Sequence, residues 1–262
     1  LNWEREILYQ RINTRVDQMM EQGLFQTFPC DEIYGMHNAP NGKPGRFEIC
    51  KGPAMAGAAF FDIVIRGLGS HAAMPHQSRD PIVIASGLVS QIQSIISRNV
   101  PPLETCVLSV TQIHAGSAYN VVPEMATLAG TIRYFEQDVY QTATQRLQAL
   151  CDGFATAFGV EVVLELRPLF NVLENDPDLS QAYLEAASDI VGPDNVSTNV
   201  APDTASEDFA DMLQTVPGAY CRVGHTGTMP LHNPQFTLGQ EILPVGASIM
   251  ARLVETRLPL EA

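Results

Sequence analysis

Between residues 58 and 169, apolar and polar residues follow a regular pattern that predicts six elements. Apolar runs and alternating apolar and polar positions, with many β-branched residues, predict strands at 60–66, 105–113, 125–135 and 160–166. Apolar residues at helical spacing predict helices at 80–97 and 137–158, the second closed by Gly159. The order β-α-β-β-α-β is that of the split βαβ, or ferredoxin-like, sandwich. We therefore predict an α/β fold that contains a ferredoxin-like module.

The segments that flank this module are less regular. Residues 28–56 are rich in Pro and Gly, and residues 171–262 have the pattern helix, loop, helix, strand, loop, helix. Because neither flank is regular enough to make a compact domain alone, we predict that residues 26–57 and 170–262 together form one mixed α/β domain. The ferredoxin-like module, residues 58–169, would then be inserted into that domain.

A separate amphipathic helix is predicted near the N-terminus. Its apolar residues recur at helical spacing from Arg5 onward, and Gly23 provides a stop. Residues 1–25 are therefore assigned to an N-terminal helix of uncertain origin.

Composition and charge narrow the classes of function. The formal net charge of −14 disfavours a nucleic acid as partner and favours a small-molecule or metal-ion role. No run of eighteen apolar residues is present, so no membrane association is expected, and the N-terminus lacks the apolar core of a signal peptide. The five cysteines form no C-x-x-C pair, which favours a reducing, cytoplasmic location and small buried thiols.

Three of the six histidines lie in segments rich in Gly, Pro and Asn, which are typical of loops. They are His37, His71 and His232. A histidine at a tight turn is held by the backbone, as ligands and proton-transfer groups often are, although a surface or turn histidine has the same pattern. Their spacing matches no established metal motif.

Two further groups have both a chemical and a structural interpretation. Glu207 and Asp208 could be catalytic acids, or they could lie in the first turn of a helix capped by Thr204 or Ser206. Arg133, at the end of a predicted strand, could bind a carboxylate through two hydrogen bonds, or it could face solvent.

Six short motifs occur in order along nine-tenths of the chain. They are Phe28-Pro29-Cys30-Asp31 with Tyr34-Gly35-Met36-His37-Asn38, Gly69-Ser70-His71-Ala72-Ala73-Met74-Pro75-His76, Asn120-Val121-Val122-Pro123, Gly130-Thr131-Ile132-Arg133, Ser206-Glu207-Asp208-Phe209 and Leu231-His232-Asn233-Pro234. In combination they resemble the amidohydrolase branch of the co-catalytic metallopeptidases, which includes aminoacylase, hippurate hydrolase and the auxin-conjugate hydrolases.

The resemblance implies a zinc-peptidase-like α/β catalytic domain with an inserted ferredoxin-like dimerisation domain, and therefore a homodimer. It implies hydrolysis of the amide bond of small N-acyl amino acids at a site with two divalent ions, which could be Mn, Zn, Co or Ni. His37 and His232 would be metal ligands, and His71 would reach the site of a neighbouring subunit and stabilise the developing oxyanion. Asn120 and Arg133 would bind substrate, Arg133 through a carboxylate.

The chain also departs from the family pattern. In this family a His-Ala-Cys-Gly-His-Asp run and a Glu pair, upstream of the position of Phe28, supply the other ligands and the general base, and this chain contains no such run. We therefore expect the chain to be N-terminally truncated and inactive as a hydrolase by itself. Residues 5–24 resemble instead a helix of the tRNA dimethylallyltransferases.

Two alternatives to amide hydrolysis stay open from the sequence. One is a non-catalytic dimerisation or binding protein of the same fold. The other is a fragment linked to tRNA dimethylallyl transfer, which the net charge disfavours.

Overall fold

The structure, a computed structural model, describes residues 18–40 and 42–258. The chain divides into two compact units. Unit 1 combines the residues up to Met55 with those from Leu173 onward, and unit 2 comprises Ala56–Val172. Both units contain helices and strands, so the predicted α/β class is confirmed.

Unit 2 contains a four-stranded antiparallel sheet in the order β6-β8-β4-β9, with a separate two-stranded ladder of β5 and β7. The strands are β4 (Gly57–Arg66), β5 (Ser70–His71), β6 (Cys106–Ala115), β7 (Val121–Val122), β8 (Met125–Tyr134) and β9 (Glu161–Phe170). The two helices are α2 (Pro81–Arg98) and α3 (Gln137–Phe158). The element order β-α-β-β-α-β predicted from periodicity is present.

The core of unit 2 lies between one face of this sheet and both helices. Alternate residues of β4 (Phe61, Ile63 and Ile65) are fully buried against apolar residues of α2 and α3. Asp80 is the N-cap of α2, and its carboxylate accepts a hydrogen bond from the Ile82 N–H at 2.8 Å. β4 starts three residues before its predicted start, and β9 extends to Phe170 rather than Leu166.

Unit 1 contains a four-stranded mixed sheet in the order β1-β12-β2-β11 and a two-stranded ladder of β3 and β10. Its strands are β1 (Ile33–Ala39), β2 (Phe47–Glu48), β3 (Gly52–Met55), β10 (Leu173–Asn175), β11 (Val196–Ser197) and β12 (Gly218–Gly224). Its helices are α1 (Leu24–Thr27), α4 (Pro177–Val191), α5 (Phe209–Leu213) and α6 (Ile242–Arg257). The central strand β12 is parallel to β1 and antiparallel to β2, and α4 and α6 pack over its apolar residues.

The predicted N-terminal helix lies mostly in residues 1–17, outside the described part of the chain, as does most of the segment that resembles tRNA dimethylallyltransferases. Residues 18–21 are helical. Gly23, with φ of 76°, separates them from α1, which agrees with the predicted stop.

No described helix is long and apolar enough to cross a membrane. All five cysteines are free thiols. Cys151 and Cys221 are buried, as expected for small apolar residues, but Cys30 is exposed, so the expectation of a buried thiol is wrong there.

Candidate functional site

His37 lies in the strand β1, opposite Arg222 of β12. The expectation of a loop-like setting was wrong, because the Gly and Asn residues around His37 belong to a short strand that pairs in parallel with β12. The side chain is half-buried. Parallel pairing along all seven residues of β1 therefore fixes the backbone from which this imidazole projects.

The hydrogen bond of His37 determines which ring nitrogen can bind a ligand. Its Nδ1 lies 2.7 Å from the backbone carbonyl oxygen of Asn38, which can only accept. Nδ1 therefore carries the hydrogen, and Nε2 carries the lone pair of the neutral ring. Metal-binding histidines commonly donate their second ring N–H to a backbone carbonyl in this way.

His232 lies in a turn between β12 and α6 and is exposed. With φ of 65°, it is the only non-glycine residue in the left-handed region among the residues the structure describes. Such a backbone costs of order 1 kcal/mol for a residue with a side chain. The Asn233 side chain accepts a hydrogen bond from the Gln235 N–H at 2.8 Å, which stabilises the turn.

Near His37, a tyrosine and a glutamate form a hydrogen-bonded pair. The Tyr220 hydroxyl of β12 donates to Glu207 Oε2 at 2.6 Å, and the centroid of its ring lies 6.5 Å from that of His37. Burial, and then the negative charge of Glu207, raise the pKa of Tyr220, so the phenol remains a proton donor. Phe209 packs against the same ring.

The capping interpretation of this acidic segment was wrong. α5 begins at Phe209, and the residue at its N-cap is Asp208, whose side chain makes no capping hydrogen bond. Thr204 and Ser206 lie five and three residues before the first helical residue, and Glu207, which also precedes the helix, accepts a hydrogen bond from the Tyr220 hydroxyl.

Asp208 has an unusually high proton affinity. Burial, and then the hydrogen bond and negative charge of the neighbouring Glu207, raise the pKa of Asp208 from 3.8 to about 6. The folded state therefore holds a proton there that the unfolded state loses at lower pH.

This shift predicts a pH-dependent effect of Asp208→Asn. Because folding raises the pKa of Asp208, the contribution of this carboxyl group to the free energy of unfolding of the wild type is lost as the pH rises from about 4 through 6. We expect Asp208→Asn to stabilise the protein by about 1 kcal/mol more at pH 7 than at pH 4, after allowing for screening of a half-exposed group. Urea unfolding at both pH values measures the difference. The exposed Asp194→Asn is the control, and an equal response of both variants would contradict the prediction.

In unit 2, β5 and β7 bring His71 and Asn120 together. Ser70 and His71 pair with Val122 and Val121, and the Ala72 N–H donates to the Asn120 carbonyl at 3.0 Å. Nδ1 of His71 accepts the Ala73 N–H at 3.1 Å, so the neutral ring carries its hydrogen on Nε2. Both side chains are exposed. His71 is therefore prepared to act as a hydrogen-bond donor.

Arg133 lies at the other end of unit 2. It is near the end of β8, opposite Ala58 and Val107, and eight residues beyond Met125, where β8 begins close to β7. At about 3.3 Å per residue, that separation is roughly 26 Å. The side chain is half-buried, and burial lowers its pKa, which excludes a fully solvent-facing arginine. The structure thus pairs His71 with Asn120 but not with Arg133.

The described residues contain no group of three or more His, Cys, Asp and Glu side chains that could hold a metal ion. The imidazoles of His37 and His232 are suitable donors for divalent transition metals. Two imidazoles do not complete the coordination of a bridged pair of ions, so these residues fit part of such a site.

Three buried residues at this site were not singled out from the sequence. They are Asn175, Tyr220 and His225. Each makes side-chain hydrogen bonds to residues distant in sequence, and no local pattern marks such contacts. For His225 the available signal was its position next to the Gly224 that ends β12.

Unit 1 presents one imidazole from a parallel strand and another from a turn, and imidazole is a ligand that divalent metal ions use in metal-dependent hydrolases. The sequence profile of peptidase family M20/M25/M40 matches residues 16–256 of the chain. The chain therefore belongs to this family, and the resemblance stated from its motifs is confirmed.

Curated relatives have related activities. The chain is 35% identical over 221 residues to an N-acetylcysteine deacetylase of Bacillus subtilis (strain 168), covering 84% of this chain and 57% of the relative. It is 32% identical over 235 residues to the hippurate hydrolase of Campylobacter jejuni subsp. jejuni, covering 90% of this chain and 61% of the relative. The chain thus spans about three-fifths of the length of these relatives.

A solved structure gives the same family. The Bacillus subtilis YXEP protein, described as a dinuclear metal binding peptidase from the M20 family, superposes with a TM-score of 0.77 at 27% identity. The match covers 94% of this chain and 62% of that one.

Proposed function

We propose that this chain is part of an enzyme that hydrolyses the amide bond of small N-acyl amino acids of the hippurate type. The observation that carries the proposal is the hydrogen bond from His37 Nδ1 to the Asn38 carbonyl, which leaves Nε2 as a ligand atom on a fixed strand. The names of the relatives, a deacetylase of N-acetylcysteine and a hippurate hydrolase, support this substrate class.

The cofactor in this proposal is a pair of divalent ions, which could be Mn, Zn, Co or Ni. A solved relative is described as binding two metals, which supports the pair. His37 and His232 would each supply one imidazole. When bound, such ions lower the pKa of a shared water and polarise the amide carbonyl. The other ligands are not assigned to any described residue.

The substrate-side roles fall to residues of unit 2. His71, with its hydrogen on Nε2, would donate to the oxyanion that forms at the amide carbon. Asn120, beside it on the β5–β7 ladder, would bind substrate. Arg133 would bind the substrate carboxylate, and its partial burial strengthens a charge-assisted hydrogen bond.

Two copies of the chain would be needed to combine these groups. Met125, where β8 begins close to the β5–β7 ladder of His71 and Asn120, lies about 26 Å along β8 from Arg133, which is too far for one small substrate to span. We therefore propose a homodimer in which His71 serves the site of the partner copy. The contact would be made by a ferredoxin-like dimerisation domain, residues 58–169, which lies within unit 2. The five free thiols favour a cytoplasmic location for it.

The edge strand β6 is the proposed contact between the copies. It contains no charged residue, its second half is exposed, and an open groove of about 390 Å³ lies between it and α2. The opposite edge, β9, contains Glu161, Glu165, Arg167 and Pro168. Charges and proline protect an edge strand against pairing with another chain. By this contrast β6 is the edge open to a second copy.

If two copies pair through β6, lysine substitutions on the two edge strands of the sheet should have different effects on dimerisation. We expect Ile113→Lys on β6, where the side chain is 53% exposed, to raise the dimer dissociation constant at least about tenfold. Val163→Lys on β9, 45% exposed in wild type, is the matched control and should leave it unchanged. Sedimentation of the full chain measures both. A monomeric wild type, or equal effects at the two edges, would contradict the proposal.

The ligand roles predict a loss of metal affinity. Mn²⁺ added in small amounts should broaden the ring resonances of His37 and His232 in the ¹⁵N-histidine-labelled chain. We expect His37→Ala and His232→Ala each to raise the Mn²⁺ dissociation constant at least about tenfold, since each removes a direct ligand. Exposed His76→Ala should leave it unchanged. Resonances of both histidines that stay sharp while others broaden would refute these roles.

The alternative of a non-catalytic dimerisation or binding protein has no support from the relatives, which are named as a deacetylase and a hydrolase. A dimer that forms through β6 without any Mn²⁺ response at His37 or His232 would favour it.

A further inference from the structure

His225 is the only fully buried histidine among the residues the structure describes. It follows directly after β12, and the loop of residues 226–241 that follows it carries His232 and leads to α6. Its ring packs edge-on against Phe236 of the same loop, with centroids 5.8 Å apart. A buried polar ring requires partners for both nitrogens.

One nitrogen of this ring holds the two ends of the loop together. Nδ1 of His225 accepts hydrogen bonds from the Gly227 N–H at 2.9 Å and from the Gly239 N–H at 3.1 Å. Two N–H donors at one nitrogen require a lone pair there, so the hydrogen of the neutral ring lies on Nε2. The residues between these glycines, which include His232, are thereby closed into one loop.

The other nitrogen connects this loop to the strand that carries His37. Nε2 of His225 donates to Asn38 Oδ1 at 3.2 Å, and the His225 backbone N–H donates to the Ala39 carbonyl at 3.2 Å. The Asn38 carbonyl in turn accepts from His37 Nδ1. A single side chain is therefore bonded to the neighbour of one proposed ligand and to both ends of the loop that carries the other.

The space around the ring allows this arrangement only with glycine at position 227. A Cβ there would lie 2.4 Å from Cε1 of His225 and 2.5 Å from the Thr237 carbonyl oxygen, closer than atoms can approach. The ring is thus packed directly against the loop backbone.

We infer that His225 is a positioning residue: it fixes the loop that carries His232 relative to the strand that carries His37. The inference rests on the proposed ligand roles of those two histidines. Because coordination requires ligand atoms at fixed separations, loss of the His225 bonds would weaken metal binding without removing a ligand.

His225→Phe tests the inference, because it keeps a planar ring and removes both nitrogens. Amide exchange in the full chain should rise at least about tenfold at both Gly227 and Gly239, although they lie twelve positions apart in the sequence. The Mn²⁺ dissociation constant, measured from the EPR signal of free Mn²⁺, should rise about tenfold, the lower end for loss of a residue that orients a ligand. The exposed His114→Phe is the matched control.

Asn38→Ala provides a second variant that leaves the two loop bonds intact and should fold even if His225→Phe does not. It should keep both glycine amides protected yet raise the Mn²⁺ dissociation constant about tenfold. A role in loop stability alone would leave Mn²⁺ affinity unchanged in this variant, which would overturn the inference.

The remaining outcomes separate the inference from the proposed function. Unchanged protection of the Gly227 and Gly239 amides in His225→Phe would show that the His225 side chain does not hold the two ends of the loop together. A wild-type chain in which Mn²⁺ does not affect His37 or His232 would overturn the ligand roles and with them the positioning role, whatever the amide result.

Discussion

Replacing Asn175 by leucine is expected to lower the free energy of unfolding of unit 1 by about 4 kcal/mol. The Asn175 side chain is fully buried and makes three hydrogen bonds to the backbone. Its amide donates to the carbonyls of Cys50 and Tyr220 at 2.8 and 3.0 Å, and its oxygen accepts the Tyr220 N–H at 2.7 Å. Leucine has a similar volume but leaves three backbone groups unpaired, and each buried unpaired group costs about 1–3 kcal/mol.

The loss should be confined to the unit that contains Asn175. Urea unfolding followed by hydrogen exchange of peptides from each unit separates the two responses. Asn99→Leu, at the end of α2 in unit 2, is a control with the same change of side chain. A loss in unit 1 below about 1 kcal/mol, no more than one ordinary hydrogen bond, would contradict the assigned role of Asn175.

Gly130→Ala is expected to destabilise unit 2 by about 3 kcal/mol. Gly130 lies in β8 between Phe61 of β4 and Val110 of β6. A Cβ at this position would lie 2.2 Å from the Ser109 carbonyl oxygen and 2.3 Å from the ring of Phe61, which is fully buried. The backbone of β6 and the core must therefore shift to admit one methyl group.

Gly153→Ala is the matched control for this prediction. Gly153 is exposed within α3, and a Cβ there would meet no atom within 4 Å. Alanine at an exposed helical position stabilises by about 0.5–1 kcal/mol relative to glycine. Thermal unfolding of both variants should give shifts of opposite sign, and two stabilised variants would show that the sheet has room at Gly130.

The effect at Gly130 also separates two roles within one motif. In Gly130-Thr131-Ile132-Arg133, the glycine allows close approach of Phe61 in the core, whereas Arg133 lies on the other face of β8, half-buried. A motif of four residues thus combines a packing requirement with a proposed substrate contact.

Unit 2 was the part of the fold that periodicity predicted best. Phe61, Ile63 and Ile65 alternate because one face of β4 packs against the helices, and that pattern is visible in the sequence. The strands of unit 1 gave weaker signals. All seven residues of β1 are only partly buried, and β2 has two residues, so neither has an alternation to detect.

The sequence predicted the site residues that belong to short motifs, but it did not predict which other residues they contact. His37, His71 and His232 could be chosen from their local sequence. Strand pairing places His37 in a strand, brings His71 next to Asn120 and leaves Arg133 at the far end of β8. The local sequence does not specify this pairing.

The sequence by itself determined the family, the α/β class, the element order of unit 2 and the candidate ligands, because each depends on periodicity or on short motifs. Only the tertiary structure decided which ring nitrogen of His37 and of His71 is available, and which distant residues Asn175 and His225 contact. Their hydrogen bonds span 45 residues to Tyr220 and 187 residues to Asn38. Contacts at such separations follow from how the chain folds back on itself, and no local pattern of residues encodes them.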